Sequence, residues 1–120
     1  MPSDPQSDLE KEFVQAALAR SRWTRQGDAN KAGRETEKLR GIIQKLRALP
    51  DRGEVVFKRI AGSQDAELRI LGASGLLAVD EAFATSVLRQ VSAGRDQSKA
   101  FDAEMALKEW QNGLNRNFWV

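Results

Sequence analysis

The sequence predicts an all-α fold, and three features of its patterning support this prediction. Apolar residues recur at spacings of three and four along most of the chain, which is the repeat of one helix face. No segment alternates strictly between apolar and polar residues, and β-branched residues rarely cluster outside Val55 and Val56. Glycine, proline and aspartate divide the chain into short segments. A chain of 120 residues is long enough for one domain with a single core.

The first half of the chain predicts two long helices. Residues 1–7 contain two prolines and are expected to form a disordered lead. From Asp8, a candidate N-cap, apolar residues follow at helical spacing towards Gly27, where this helix is expected to end. A second helix is expected to begin just after Gly27 and to run to Leu49, because Pro50 disfavours helical geometry in the residue before it. Its apolar stripe comprises Leu39, Ile42, Ile43, Leu46 and Leu49.

The second half predicts four shorter helices, separated by glycines and aspartates. These helices are expected at about 53–61, 65–79, 80–93 and 97–112. With the first two they make about six helices in a single domain of residues 8–114. An aromatic C-terminal tail, residues 115–120, follows this domain.

An offset of about 31 residues aligns part of the second half with itself, apolar residue with apolar residue and small residue with small residue. The pairs are Val56 with Val87, Phe57 with Leu88, Ile60 with Val91, Ile70 with Phe101, Gly72 with Ala103, Gly75 with Ala106, Leu76 with Leu107 and Val79 with Trp110. This pattern predicts two stacked helical hairpins, with small residues where the helices approach closely. Helical periodicity also repeats with itself, so chance matches are the alternative.

The segment from Asp65 to Leu77 resembles the second helix of a HEAT-type repeat. In such repeats an acidic turn residue precedes a hydrophobe, an arginine, small residues and then leucines. Here the corresponding residues are Asp65, Leu68, Arg69, Ala73 and Leu76 or Leu77. Further similar features are the Gly27-Asp28-Ala29-Asn30 opening of the second helix, its Leu46-Arg47-Ala48-Leu49-Pro50 end, and the Leu107-Lys108-Glu109-Trp110-Gln111-Asn112-Gly113 segment.

The layout of residues 8–114 is similar to a small bacterial HEAT-like repeat domain of unknown function, of the domain-of-unknown-function two-thousand-nineteen type. Gly72 departs from the pattern, since an alanine is usual there. The resemblance implies a HEAT-like α-helical repeat, an α-α superhelix. It implies no activity, catalytic residue or ligand.

The composition argues against most enzyme and metal chemistry. The chain has no cysteine and no histidine, which excludes a disulfide framework and a thiolate nucleophile and removes the commonest general base. Ser74 lies between small residues, as in a nucleophile elbow, but has no preceding strand and no histidine base, so we expect a packing role. We therefore predict a protein that is not an enzyme, with no catalytic residue, cofactor or metal site.

No run of 18 apolar residues occurs, so no membrane span is expected. The polar N-terminus lacks the pattern of a secretory signal. These features predict a cytoplasmic protein without a membrane partner.

Residues 20–59 carry most of the positive charge. They hold 12 bases and five acids, a local net charge of +7, whereas the whole chain has a net charge of +2. In the second predicted helix Lys31, Arg34, Lys38 and Lys45 lie near one face, and Trp23 lies between arginines in the first. This basic face is either a solvated helix surface, partly neutralised by nearby glutamates, or a binding surface.

A binding surface of this kind predicts a protein-binding module of the adaptor or immunity type, with an unidentified partner that the charge would allow to be acidic. The alternative function is weak, sequence-independent binding of nucleic acid through residues 20–59. The predicted binding residues are Arg22, Arg34, Lys38 and Arg69. For Arg69, four residues after Asp65, the alternative is a structural ion pair within the helix.

The aromatic tail allows two interpretations. Phe118 and Trp119 either fold back over the last repeat as a cap, or form an interaction motif, for example in a homodimer. The sequence leaves the oligomeric state open.

Overall fold

Helix is the only regular secondary structure in residues 5–114 and 116–119, the part of the chain that the computed structural model describes. The helices are α1 (Pro5–Arg25), α2 (Ala29–Arg47), α3 (Glu54–Ala61), α4 (Ala66–Leu76), α5 (Glu81–Ser92), α6 (Gln97–Gln111) and the single turn α7 (Arg116–Trp119). The predicted all-α fold with about six helices is therefore confirmed. The repeat relation between the hairpins stays a prediction.

Most helix boundaries lie within about two residues of the predicted segments. The differences are that α4 ends at Leu76 where the sequence predicted a helix to residue 79, that residues 116–119 of the predicted tail form α7, and that helix extends farther towards the beginning of the chain. There α1 begins at Pro5, so residues 5–7 are helical where the sequence predicted a disordered lead. Proline is suited to a first helical turn, because its fixed φ is helical and its missing N–H has no partner to lose. Residues 1–4 of the predicted lead lie outside the described residues.

The chain divides into two compact units, an N-terminal unit of residues 1–56 and a C-terminal unit of residues 57–120, where the sequence predicted one domain over residues 8–114. In the N-terminal unit, α1 and α2 form a helical hairpin. Gly27 has a φ of +75° in the connecting turn, a conformation that glycine adopts without steric cost. Asp28 then caps α2, because its Oδ1 accepts a hydrogen bond from the backbone N–H of Lys31 at 3.0 Å. The buried side chains are Phe13, Ala16 and Ala17 of α1 and Leu39, Ile42, Ile43 and Leu46 of α2.

In the C-terminal unit, three aspartates set where the helices begin. Asp65, Asp80 and Asp96 accept hydrogen bonds from the backbone N–H groups three residues later, at 3.0, 3.2 and 3.2 Å. Each satisfies a donor that the first helical turn leaves unpaired. Consequently α4, α5 and α6 each begin one residue after an aspartate. The three helices pack against one another.

Two glycines allow α4 to lie close to residues 57–61 of α3. A Cβ atom at Gly72 would overlap the backbone of Ala61, and one at Gly75 would overlap the ring of Phe57. The predicted role of these two small residues is therefore confirmed. Between them, Ser74 is buried and donates its hydroxyl to the carbonyl of Ile70 at 2.7 Å, as a packing residue does.

The last turn returns to the beginning of the C-terminal unit. Trp119 is buried and meets Phe57 edge to face, with ring centroids 6.4 Å apart. Its ring also lies 5.0 Å from that of Phe118. Trp119 thus folds back as one interpretation predicted, but the ring it meets belongs to α3, whereas the predicted cap covers the last repeat. Residues 115 and 120 of the predicted tail lie outside the described residues.

Candidate protein-binding surface

Positive charge is concentrated where α1 and α2 meet. We call residues 20–34, from the end of α1 to the beginning of α2, the hairpin end. It contains five bases and one acid, a local net charge of +4. The bases are Arg20, Arg22, Arg25, Lys31 and Arg34, and the acid is Asp28. The three-residue connection between the helices holds these charges near one another, which produces a locally positive potential.

The ring of Trp23 contacts two of these cationic side chains. The guanidinium carbon of Arg22 lies 5.0 Å from the centroid of the Trp23 ring, and Nζ of Lys31 lies 4.3 Å from it. Both distances are in the range of a cation–π contact. Lys31 also lies 3.8 Å from a carboxylate oxygen of Asp28. The half-buried indole therefore connects the last turn of α1 to the first turn of α2.

Arg22 and Arg34 remain accessible at the hairpin end. Both side chains are exposed. Arg34 forms no ion pair with any residue in the described part of the chain, whereas Arg25 donates from Nη1 to the hydroxyl of Ser21 at 3.2 Å. The structure thus places two of the four predicted binding residues together on an open surface.

Farther along α2, two basic residues pair with glutamates of the same helix. Nζ of Lys38 lies 3.1 Å from Oε1 of Glu35, and a guanidinium nitrogen of Arg40 lies 3.6 Å from Oε1 of Glu37. Lys38 is exposed and one turn beyond Arg34, so it can still contact a partner, but its charge is already paired. The positive charge of residues 20–59 is therefore not uniform, and bases outnumber acids by four at the hairpin end.

Arg69 makes a contact that neither prediction included. Its Nη2 donates to Oε1 of Gln90 at 2.9 Å, which links α4 to α5 within the C-terminal unit. The predicted ion pair with Asp65 does not form among the described residues, where Asp65 caps α4. A sequence does not show this contact, since the two partners are 21 positions apart. Arg69 therefore lies in a different unit from the other three predicted residues. Contact of Arg69 with a partner stays a prediction.

A groove of about 450 Å³ runs between α1 and α2. Its lining residues are Glu12, Gln15, Ala16 and Ala19 from α1, and Glu35, Glu37, Lys38, Gly41, Ile42 and Lys45 from α2. Sequence reasoning placed Lys38 and Lys45 on a basic face but did not predict the groove. The available signal was Gly41, a glycine in the middle of a helical segment and on that same face.

No cluster of three or more metal-ligating side chains occurs among the described residues. Every helix in the same part of the chain is too short or too polar to cross a bilayer. Comparisons of the chain with models of protein families, with curated proteins and with solved structures found no match.

Proposed function

We propose that this chain is a non-catalytic protein-binding module and that its hairpin end binds an acidic surface of a partner protein. The observation that carries the proposal is the exposure of Arg22 and Arg34 at the hairpin end, where bases outnumber acids in the sequence. Complementary charge on a partner would accelerate association and select against basic proteins. An adaptor, or an immunity-type protein that masks its partner, is the concrete form of this function.

Two further points support a protein partner. The charged patch is short, because Lys38 and Arg40 pair with glutamates of their own helix. Trp23, the aromatic side chain of the patch, is half-buried and already in contact with two cations, so it is not an open platform for stacking a base. The resemblance to HEAT-like repeat domains, which stays a proposal, would agree with a binding role. The absence of histidine and cysteine from the sequence supports a non-catalytic one.

Photo-crosslinking in cells of the source organism tests the proposal. A photoreactive amino acid replaces Gln26, which is exposed in the hairpin turn, and a control carries it at Ser98 of α6. We expect one protein to be captured from position 26 and not from position 98. The double variant R22E/R34E should abolish this capture. The matched variant R89E/R95E, which makes the same charge change at exposed residues of the C-terminal unit, should retain it.

Nucleic-acid binding is the alternative function, and the +7 charge of residues 20–59 favours it. Fluorescence anisotropy with a labelled DNA duplex and a labelled single-stranded RNA separates the two functions. We expect weak binding that both double charge reversals reduce equally. Tight binding that falls steeply with salt and is lost only in R22E/R34E would instead show that the hairpin end binds nucleic acid and would overturn the proposed protein partner.

A further inference from the structure

The groove between α1 and α2 has a floor of small and apolar side chains. Ala16 and Ile42 are buried at its base, and Ala19 and Gly41 are half-buried beside them. Gln15 stands exposed on the α1 wall. Small side chains in a groove between two helices allow the backbone of a third helix to approach closely.

Gly41 is not explained by the packing of the chain itself. Glycine destabilises a helix interior relative to alanine, and a Cβ atom at Gly41 would meet no atom within 4 Å. Gly72 and Gly75 differ, because a Cβ atom there would overlap α3. The open space at Gly41 is therefore available to an atom from another molecule.

The charge along the groove changes towards the hairpin end. Arg34, Lys38, Gly41 and Lys45 follow at spacings of four, three and four, so they share one face of α2. Within the groove, three glutamates offset Lys38 and Lys45. One turn farther, Arg34 has no acidic partner in the described residues, and the exposed Arg22 adds to its charge. The surface is thus nearly neutral over the groove and cationic at one end.

This arrangement does not suit a second copy of the chain. Two hairpins that faced each other in the same direction would place their cationic ends together. If they faced each other in opposite directions, the cationic end of one copy would approach both Lys45 and Glu12 of the other. The first arrangement brings like charges together, which is unfavourable, and in the second these two opposite charges offer no net acidic counterpart to the cationic end.

We propose that the groove binds an amphipathic helix of the acidic partner. The helix lies with small or apolar side chains on the floor and with acidic residues at the end that meets Arg22 and Arg34. This inference extends the proposed function and depends on it. It adds that recognition requires the floor of the groove as well as the charge of the hairpin end.

The test combines photo-crosslinking at Gln15 with two leucine variants of α2. G41L fills the groove, because a Cβ atom at Gly41 meets open space. The control Q44L places the same side chain at an exposed residue of α2 that lies outside both the groove and the hairpin end. Leucine is a good helix former, so both variants should fold, which circular dichroism checks. The photoreactive residue at position 15 is the probe, and capture at position 26 is measured in parallel.

We expect positions 15 and 26 to capture the same protein, with the position-15 crosslink in a helical segment that has acidic residues at one end. G41L should reduce capture at least about tenfold and Q44L should leave it unchanged. Capture at position 26 alone, or equal yields for G41L and Q44L, would overturn the proposal that the groove binds a helix and leave the proposed function standing. A crosslink to nucleic acid or to a second copy would also overturn the inference. Failure of capture at both positions would overturn both proposals.

Discussion

Arg52 has a backbone conformation that its residue type disfavours. Its φ is +58°, and it is the only residue other than glycine with a positive φ in the described part of the chain. Its carbonyl accepts a hydrogen bond from Nη1 of Arg47 at 2.7 Å. Burial, and after it the charge of Arg52, lower the pKa of Arg47 to about 10. In this turn Arg52 has a left-handed backbone conformation, and its positive charge lies near that of Arg47. The hydrogen bond from Arg47 is accepted by the backbone carbonyl of Arg52, so it does not depend on the Arg52 side chain.

Arg52→Asn should stabilise the protein. Asparagine tolerates the left-handed region better than arginine, and the substitution removes the charge next to Arg47, so we expect a gain of about 0.5–1 kcal/mol in the free energy of unfolding. Urea unfolding measures this gain. Arg52→Gln removes the charge and keeps the unfavourable conformation, so it should gain less than Arg52→Asn. Equal stability of the two variants would refute the conformational part of the explanation.

The lowered pKa of the Asp80 carboxyl makes the free energy of unfolding depend on pH. The backbone N–H of Phe83, and after it the ammonium of Lys58, hold the pKa of Asp80 below its ordinary value. A lowered carboxyl pKa stabilises the fold above the unfolded-state pKa, and this contribution is lost as the pH falls through the folded-state pKa. Asp80→Asn should therefore be less stable than wild type near neutral pH, and the difference should disappear in acid.

Urea unfolding of wild type and Asp80→Asn between about pH 7 and pH 2 measures this dependence. Asparagine can still cap α5, so the variant isolates the charge from the cap. Lys58→Gln removes the ammonium and should reduce the dependence in part. A stability difference that stays constant across this pH range would contradict the assignment.

At the scale of the helices, the sequence predicts where an element begins better than what it contacts. Asp65, Asp80 and Asp96 mark the beginnings of three helices because a cap acts on the next few residues, which are adjacent in the chain. Contacts between helices depend on the fold. For that reason the bond from Arg69 to Gln90 could not be predicted, and neither could the groove beside Gly41.

The helical glycines divide into two kinds with opposite expected effects. Gly72→Ala should destabilise the protein by about 1–3 kcal/mol, because the new methyl group overlaps backbone atoms of Ala61 that cannot rotate away. Gly33→Ala should stabilise it by up to about 1 kcal/mol, because alanine favours the helix and meets open space. Denaturant midpoints measure both changes. Changes of the same sign would show that the contact between α3 and α4 is not as close as described.

At the scale of the whole chain, the two units differ in their contacts and in their exposed charge. In the C-terminal unit Trp119 is buried against Phe57, and the ammonium of Lys99 on α6 lies 2.8 Å from the carboxylate of Glu67 on α4. Burial lowers the pKa of Lys99, but the hydrogen bond and charge of Glu67 and the charges of Asp102 and Asp96 together raise it by more, so the net shift is upward. The N-terminal unit instead carries the exposed basic residues Arg22 and Arg34. The modest +2 of the whole chain conceals this distribution.

Trp119→Ala should destabilise the protein by about 3 kcal/mol, because a large buried side chain is lost from the edge of Phe57. Thermal unfolding measures the loss, and sedimentation checks the association state, which should not change. Phe101→Ala is the control, because Phe101 is 61% exposed and its removal should have little effect. Unchanged melting of Trp119→Ala together with altered self-association would instead support the tail as an interaction motif.

The affinity of this chain for the protein captured at position 26 tests whether the hairpin end is the binding surface. Isothermal titration with the purified partner compares wild type, R22E/R34E and R89E/R95E. We predict that R22E/R34E weakens binding at least about tenfold and that R89E/R95E changes it little, because only the hairpin end would face the acidic surface. Equal affinities for wild type and R22E/R34E, or equal losses in the two double variants, would contradict the claim.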